Sequence, residues 1–132
     1  MGLFFFIFLS LYSFDVKTFE NFSGKNLVCK GQYQILGYEF KSSNNLIRHA
    51  LSKTDDDYYK SEGTYLISDS MIFLDIEGDL FTRKIVMETL ELFIGVHSDN
   101  TLVCKCEEYG GDLSIYFDEL KNKLTNHKIL QD

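Results

Sequence analysis

The chain contains neither proline nor tryptophan. Its turns must therefore be built from Gly, Ser, Asn and Asp, the other residue types that tolerate tight backbone geometry. Basic clusters are also missing, and the formal charge is −7 over 132 residues. That balance excludes a nucleic-acid backbone or an anionic membrane surface as the expected partner, since either would repel the chain. No glycine pattern of the G-x-G-x-x-G or G-x-x-x-x-G-K type is present, and no Ser stands in a G-x-S-x-G elbow. Cys-His-Asn and H-E-x-x-H patterns are absent as well. Neither enzymatic chemistry nor a cofactor is expected from such a chain. No apolar run approaches the roughly 20 residues that a membrane-spanning helix needs, so no stable span is expected.

What is present is the material of one folded domain. Hydrophobic residues make up 45% and charged residues 25%, an ordinary globular mixture, and the length suits a single modest core. Aromatics are abundant, with 12 Phe and 8 Tyr, which favours pleated, half-buried surfaces. The first segment, "MGLFFFIFLSLYSF", carries no charged side chain and is apolar at every position from Leu3 to Leu9. Neither a 2.0 nor a 3.6 period runs through it, so a one-sided strand or helix is not indicated. Its form, an apolar stretch ending at small Ser13, is that of a secretory signal peptide over residues 1–13, although no Lys or Arg precedes it. A periplasmic or secreted location is the expectation, with residues 14–25 as a lead-in.

Three cysteines take their meaning from that location. In an oxidising compartment Cys29 pairs with either Cys104 or Cys106, and one thiol is left over. Cys104 and Cys106 lie two apart and would share one face of a strand. A metal is not expected, because Cys-x-Cys plus one distant Cys supplies three ligands where structural zinc wants four.

Along the chain, "NLVCKGQYQIL" alternates, with Cys29, Tyr33 and Ile35 on one side and Lys30, Gln32 and Gln34 on the other. Gly37 suits a bulge or bend before "YEFK", in which Tyr38 and Phe40 face inward. "SSNN" reads as a turn, "LIRHAL" as a returning strand, and "SKTDDDYYKSEG" as the one long polar loop. "TYLI", "MIFLDI", "LFTRKIVM", "LELFIG" and "TLVCKCEE" are further strands with short polar connections. About eight antiparallel strands result, and a meander that long leaves two exposed edges unless it curls shut. Closure over residues 26–109 lays "NLVCKG" beside "TLVCKC" and brings Cys29 close to Cys104 and Cys106. The period then changes. Over residues 112–128, Leu113, Tyr116, Phe117, Leu120 and Leu124 recur at three- and four-residue steps, with Asp112 as N-cap. This is an amphipathic C-terminal helix, packed on the sheet or across a barrel end.

Few residues carry chemistry. His49 alternates with Ile47 and Leu51 and reads as a satisfied core histidine. Asp55 and Asp57, and likewise Asp75, Glu77 and Asp79, have part of a calcium-loop spacing, but Lys60 and Leu80 stand where that loop requires Gly. Both clusters read as solvated turns. The aromatic supply of Tyr33, Tyr38, Phe40, Tyr65, Phe73, Phe81 and Phe93 exceeds what turns and caps use. These are the candidate ligand-facing residues of a barrel that binds a small apolar ligand, unless they serve only to fill its core. The alternative partner is a basic protein docked by the acidic surface.

The stretch from Tyr38 to Cys106 carries "YEFKSSNNLIR", "GTYLISDSMIFL", "ETLELFIG" and a closing Cys-bearing strand. In layout it resembles the small lipocalin-like proteins exported by bacteria, in which a Gly-x-Tyr strand, a short turn, an apolar strand and a "TL-x-L" strand recur. The resemblance implies a mainly β fold, an antiparallel meander curled into a small barrel. The Gly-x-Trp signature of lipocalins has no counterpart in this tryptophan-free chain.

Overall fold

The computed structural model describes residues 22–96 and 99–131, so the expected leader over 1–13 and most of the lead-in lie outside the described residues. Among these residues eight strands form one antiparallel meander. They are β1 (Asn26–Lys30), β2 (Gln34–Phe40), β3 (Asn45–Ser52), β4 (Tyr58–Ser68), β5 (Met71–Ile76), β6 (Thr82–Val86), β7 (Glu91–Val96) and β8 (Asp99–Glu108). Each strand pairs with the next, and β1 also pairs with β8, with Leu27 opposite Glu108 and Cys29 opposite Cys106. The sheet is therefore a closed barrel, and the edge problem posed by a long meander is solved by joining its two ends.

Alternation decides which side chains fill it. Leu36, Tyr38 and Phe40 of β2, Leu46 and Ala50 of β3, and Ile72, Leu74 and Ile76 of β5 belong to one enclosed core. Each large apolar side chain withdrawn from water contributes about 1.5–3 kcal/mol. Near the lead-in, Phe40 makes edge-on ring contacts with Phe22 and Tyr65, at centroid distances of 4.6 and 4.9 Å. Two hairpins turn without glycine: Ser43 and Asn44, and again Asp69 and Ser70, all adopt positive φ. That backbone suits the right-handed twist of the flanking strands.

The helix α1 (Leu113–Gln131) lies on the outer wall, not across an end. Leu113 and Phe117 pack on Val28, Ile35 and Leu51, which point outward from β1, β2 and β3. Asp112 caps the helix: its Oδ1 accepts hydrogen bonds from the Ser114 N–H at 2.8 Å and the Ile115 N–H at 3.3 Å. The bend expected at Gly37 is not there, and β2 runs through it in regular register. A Cβ at Gly37 would lie 2.5 Å from the Phe117 ring. The glycine makes room for the helix.

Two other boundaries differ from the sequence reading. The chain turns at residues 31–33, between β1 and β2, and does not continue as one strand to Leu36. The alternation runs on through the turn and so conceals it; Ile35 ends on the outer wall beneath α1, not on the inner face with Cys29. Residues 58–63, expected as loop, form the first half of β4, paired to β3. Their polarity reflects an outer wall exposed to water, where Lys60 and Glu62 stand.

Candidate functional site

The barrel splits the seven aromatic candidates. Tyr38, Phe40 and Tyr65 are buried in the core. Tyr33 sits in the turn before β2, 68% exposed, because the chain reverses there. Phe73 is outward between inward Ile72 and Leu74, and it shares that outer parity with Asp75, the charged residue of "MIFLDI". Register continues the same outer row from Leu66 through Phe73, Lys84 and half-buried Phe93 to Leu102.

Phe73, Phe81 and Tyr65 nonetheless meet. A cleft of about 500 Å³ lies against β4, β5 and residues 79–82, walled by Tyr65, Leu66, Phe73, Leu74, Leu80 and Phe81, with Asp79 among its polar residues. Leu66 is 56% exposed, Phe73 37%, Leu80 94% and Phe81 50%. Single exposed apolar side chains are common, but four that converge on one cleft form a patch.

The connection between β5 and β6 turns its apolar side chains out and one carboxylate in. Asp79 Oδ2 accepts hydrogen bonds from Arg48 Nη1 at 3.2 Å and from Arg83 Nε, while its Oδ1 accepts the Phe81 N–H at 3.2 Å. Arg48 on β3 stands directly opposite Tyr38, and Arg83 on β6 opposite Leu74, so both arginines share the inner face. All three ionic side chains are buried. Burial pushes the Asp79 carboxyl up, but Arg83, the Phe81 N–H and Arg48 outweigh it and hold it below the usual 3.8. The Tyr38 hydroxyl is pushed up to about 12 by burial, against the pull of Arg83 and Arg48. It is a neutral donor at any physiological pH. Among the described residues, two guanidiniums face one carboxylate, which leaves one positive charge uncompensated. The Tyr38 hydroxyl, Arg48 Nε and Arg83 Nη1 have no hydrogen-bond partner among the described residues.

Sulfur lines the same interior. Cys29 and Cys106 form a disulfide across the β1–β8 seam, and Cys104 is a buried thiol. The sequence left open which late cysteine pairs; the one directly opposite Cys29 does. All three sulfur atoms lie within 4.8 Å of one another. Burial raises the Cys104 pKa, Arg83 opposing, so the group is held as thiol, the unreactive form. With the disulfide closed the trio offers one free sulfur; reduced, it would offer three ligands to a soft metal.

His49, the neighbour of Arg48, faces the other way. Its Nδ1 lies 2.6 Å from Tyr58 Oη and its Nε2 2.7 Å from Glu39 Oε1. The ring is fully buried and stacks on Phe117 of α1 at 5.3 Å. Burial lowers its pKa from 6.5, with Glu39 pulling the other way. Glu39 and Asp112 line a nearby cleft of about 440 Å³, but His49 does not, and Asp112 is engaged as the helix cap. With both nitrogens used, His49 fastens the helix to the barrel.

Arg48, Asp79 and Arg83 were missed by sequence reasoning. Arg48 alternates with inward Leu46 and Ala50 in "LIRHAL", and a charged residue at an inward position was the available signal. Asp79 has no such marker, since Glu77-Gly78-Asp79 has the composition of any wet turn.

No protein-family model, curated protein or solved structure matches this chain. Among the described residues, no helix is long and apolar enough to cross a membrane.

Proposed function

We propose that the protein binds a small apolar ligand in the cleft against β4, β5 and the connection to β6. The observation that carries this reading is the convergence of Leu66, Phe73, Leu80 and Phe81, all exposed, on a cleft of about 500 Å³. That volume falls within the roughly 300–1,000 Å³ of small-molecule sites. Isolated exposed rings cost little, but a shared apolar wall is wasteful unless something covers it. Titration with the uncharged fluorophore N-phenyl-1-naphthylamine tests the reading. Saturable enhancement is expected, weakened about tenfold when Phe73 and Phe81 are both changed to Ser, since removing two ring contacts is worth over 1 kcal/mol. Binding that ignores the double substitution ends the proposal. Both rings point outward, so the fold should survive their loss.

The Cys29–Cys106 disulfide supports an oxidising compartment as the place of work, periplasmic or extracellular. N-terminal sequencing of protein from its own host checks this: processing near Ser13 agrees, and an intact Met1 on soluble protein argues against it. The second reading is a docked protein partner. It draws on the formal charge of −7 and the outer row Leu66, Phe73, Phe93, Leu102. A basic partner retained at low salt and lost at high salt would favour it.

A further inference from the structure

We propose that the interior beside Asp79 seats a second carboxylate, brought by the ligand, so that the bound molecule is an apolar monoacid. The inference rests on the cleft reading above and names the ligand's head group. Arg48 and Arg83 together carry two positive charges, and Asp79 answers one of them. A buried charge without a counterion is costly, and so is a buried donor without an acceptor. Here both costs fall in one place. Arg48 and Tyr38 are cross-strand neighbours on the inner face, and Arg83 meets Arg48 on the same Asp79 oxygen. The three atoms left without partners among the described residues are Arg48 Nε, Arg83 Nη1 and the Tyr38 hydroxyl. All are donors at neutral pH, because Arg does not deprotonate and Tyr38 is held as phenol. Their common requirement is an acceptor group with a single negative charge and several lone pairs. A carboxylate has two oxygens and about four acceptor sites, and charge-assisted bonds of this kind are the strong ones.

The route is set by Asp79. It lines the apolar cleft, and its carboxylate is also the group that both guanidiniums touch. An apolar chain lying over Phe73, Leu80 and Phe81 therefore has its end one side chain away from the arginines. A cation would be repelled from this seat, and a neutral alcohol would leave the charge unanswered.

Calorimetric titration with decanoate and with 1-decanol, at constant ionic strength and pH 7, separates the two claims. The expected result is that decanoate binds roughly tenfold to a hundredfold more tightly, the range that one or two charged hydrogen bonds supply. Arg83→Met should erase that preference, and Tyr38→Phe, which keeps the ring and the packing, should cut it several-fold. Equal binding of acid and alcohol overturns the head-group assignment while leaving the cleft reading intact. If neither binds, the cleft reading fails, and acetate decides the rest. Thermal unfolding raised by acetate in the native protein but not in Arg83→Met would still establish the anion seat. No rise in either protein overturns it.

Discussion

Arg48 and His49 are adjacent in sequence, buried, and on opposite faces of β3, and the clusters they anchor make a natural experiment. His49 on the outer wall is a closed system: one ring, two nitrogens, two partners in Tyr58 and Glu39, and a helix stacked on top. Arg48 on the inner face belongs to an open one, with an unbalanced charge and three donors that have no partner among the described residues. Satisfied polar networks rigidify a fold, whereas partly satisfied ones cost stability and persist where something else completes them. The difference separates a fastening from a site.

Four measurements test that contrast. The largest effect is expected for Asp79→Ala, which strands two buried guanidiniums and should cost about 3–5 kcal/mol in urea unfolding. A loss below about 1 kcal/mol would mean that water already compensates the arginines. His49→Ala should cost less, about 2–3 kcal/mol, through the cavity and the two orphaned partners. Amide exchange should then quicken in α1 first, and uniform quickening would remove the fastening role. A smaller effect is the dependence on pH. Because the folded-state pKa of His49 lies below 6.5, the unfolded chain takes up the proton first. The stability this residue contributes is present above pH 6.5 and is lost as pH falls from there toward its depressed folded value. The unfolding temperature should decline over that window, and the decline should be shallower in His49→Gln. Asp79 gives a separate step: its stabilisation is present above about pH 3.8 and fades only as pH falls below it. The smallest change is expected for Arg83→Met, within about 1 kcal/mol, because it removes the excess charge while keeping the volume. If that substitution proves as damaging as Asp79→Ala, the inner cluster is as closed as the outer one.

The barrel was legible because its signals are local and repeated. Alternating runs, polar turns and a late switch to a 3.6 period recur along the chain, and closure followed from the edge argument with Cys29, Cys104 and Cys106 as its check. The parity of "MIFLDI" was legible from Asp75, a wet-side residue on the same face as Phe73, so the outward position of Phe73 follows from a signal within the strand itself. Tyr33 was misplaced because polarity continued to alternate through the turn that reverses the chain. The inner cluster lay further out of reach. Asp79 and Arg48 are 31 residues apart, and nothing within either segment announces the other. Only the curvature of the closed sheet brings them together. Gly37 was noticed, but its purpose belongs to Phe117, which arrives from the far end of the chain.

The sulfur bridge at the seam has a consequence for how molecules of this kind can be told apart. It joins residues 77 positions apart, and β1 meets β8 over only three paired positions. The bridge ties together the first and last strands where they lie side by side. Thiol titration under denaturing conditions, combined with peptide mapping of the Cys29–Cys106 link, thus sorts a population: one reactive sulfur together with that link marks a chain bridged across the seam, and three mark an unbridged one.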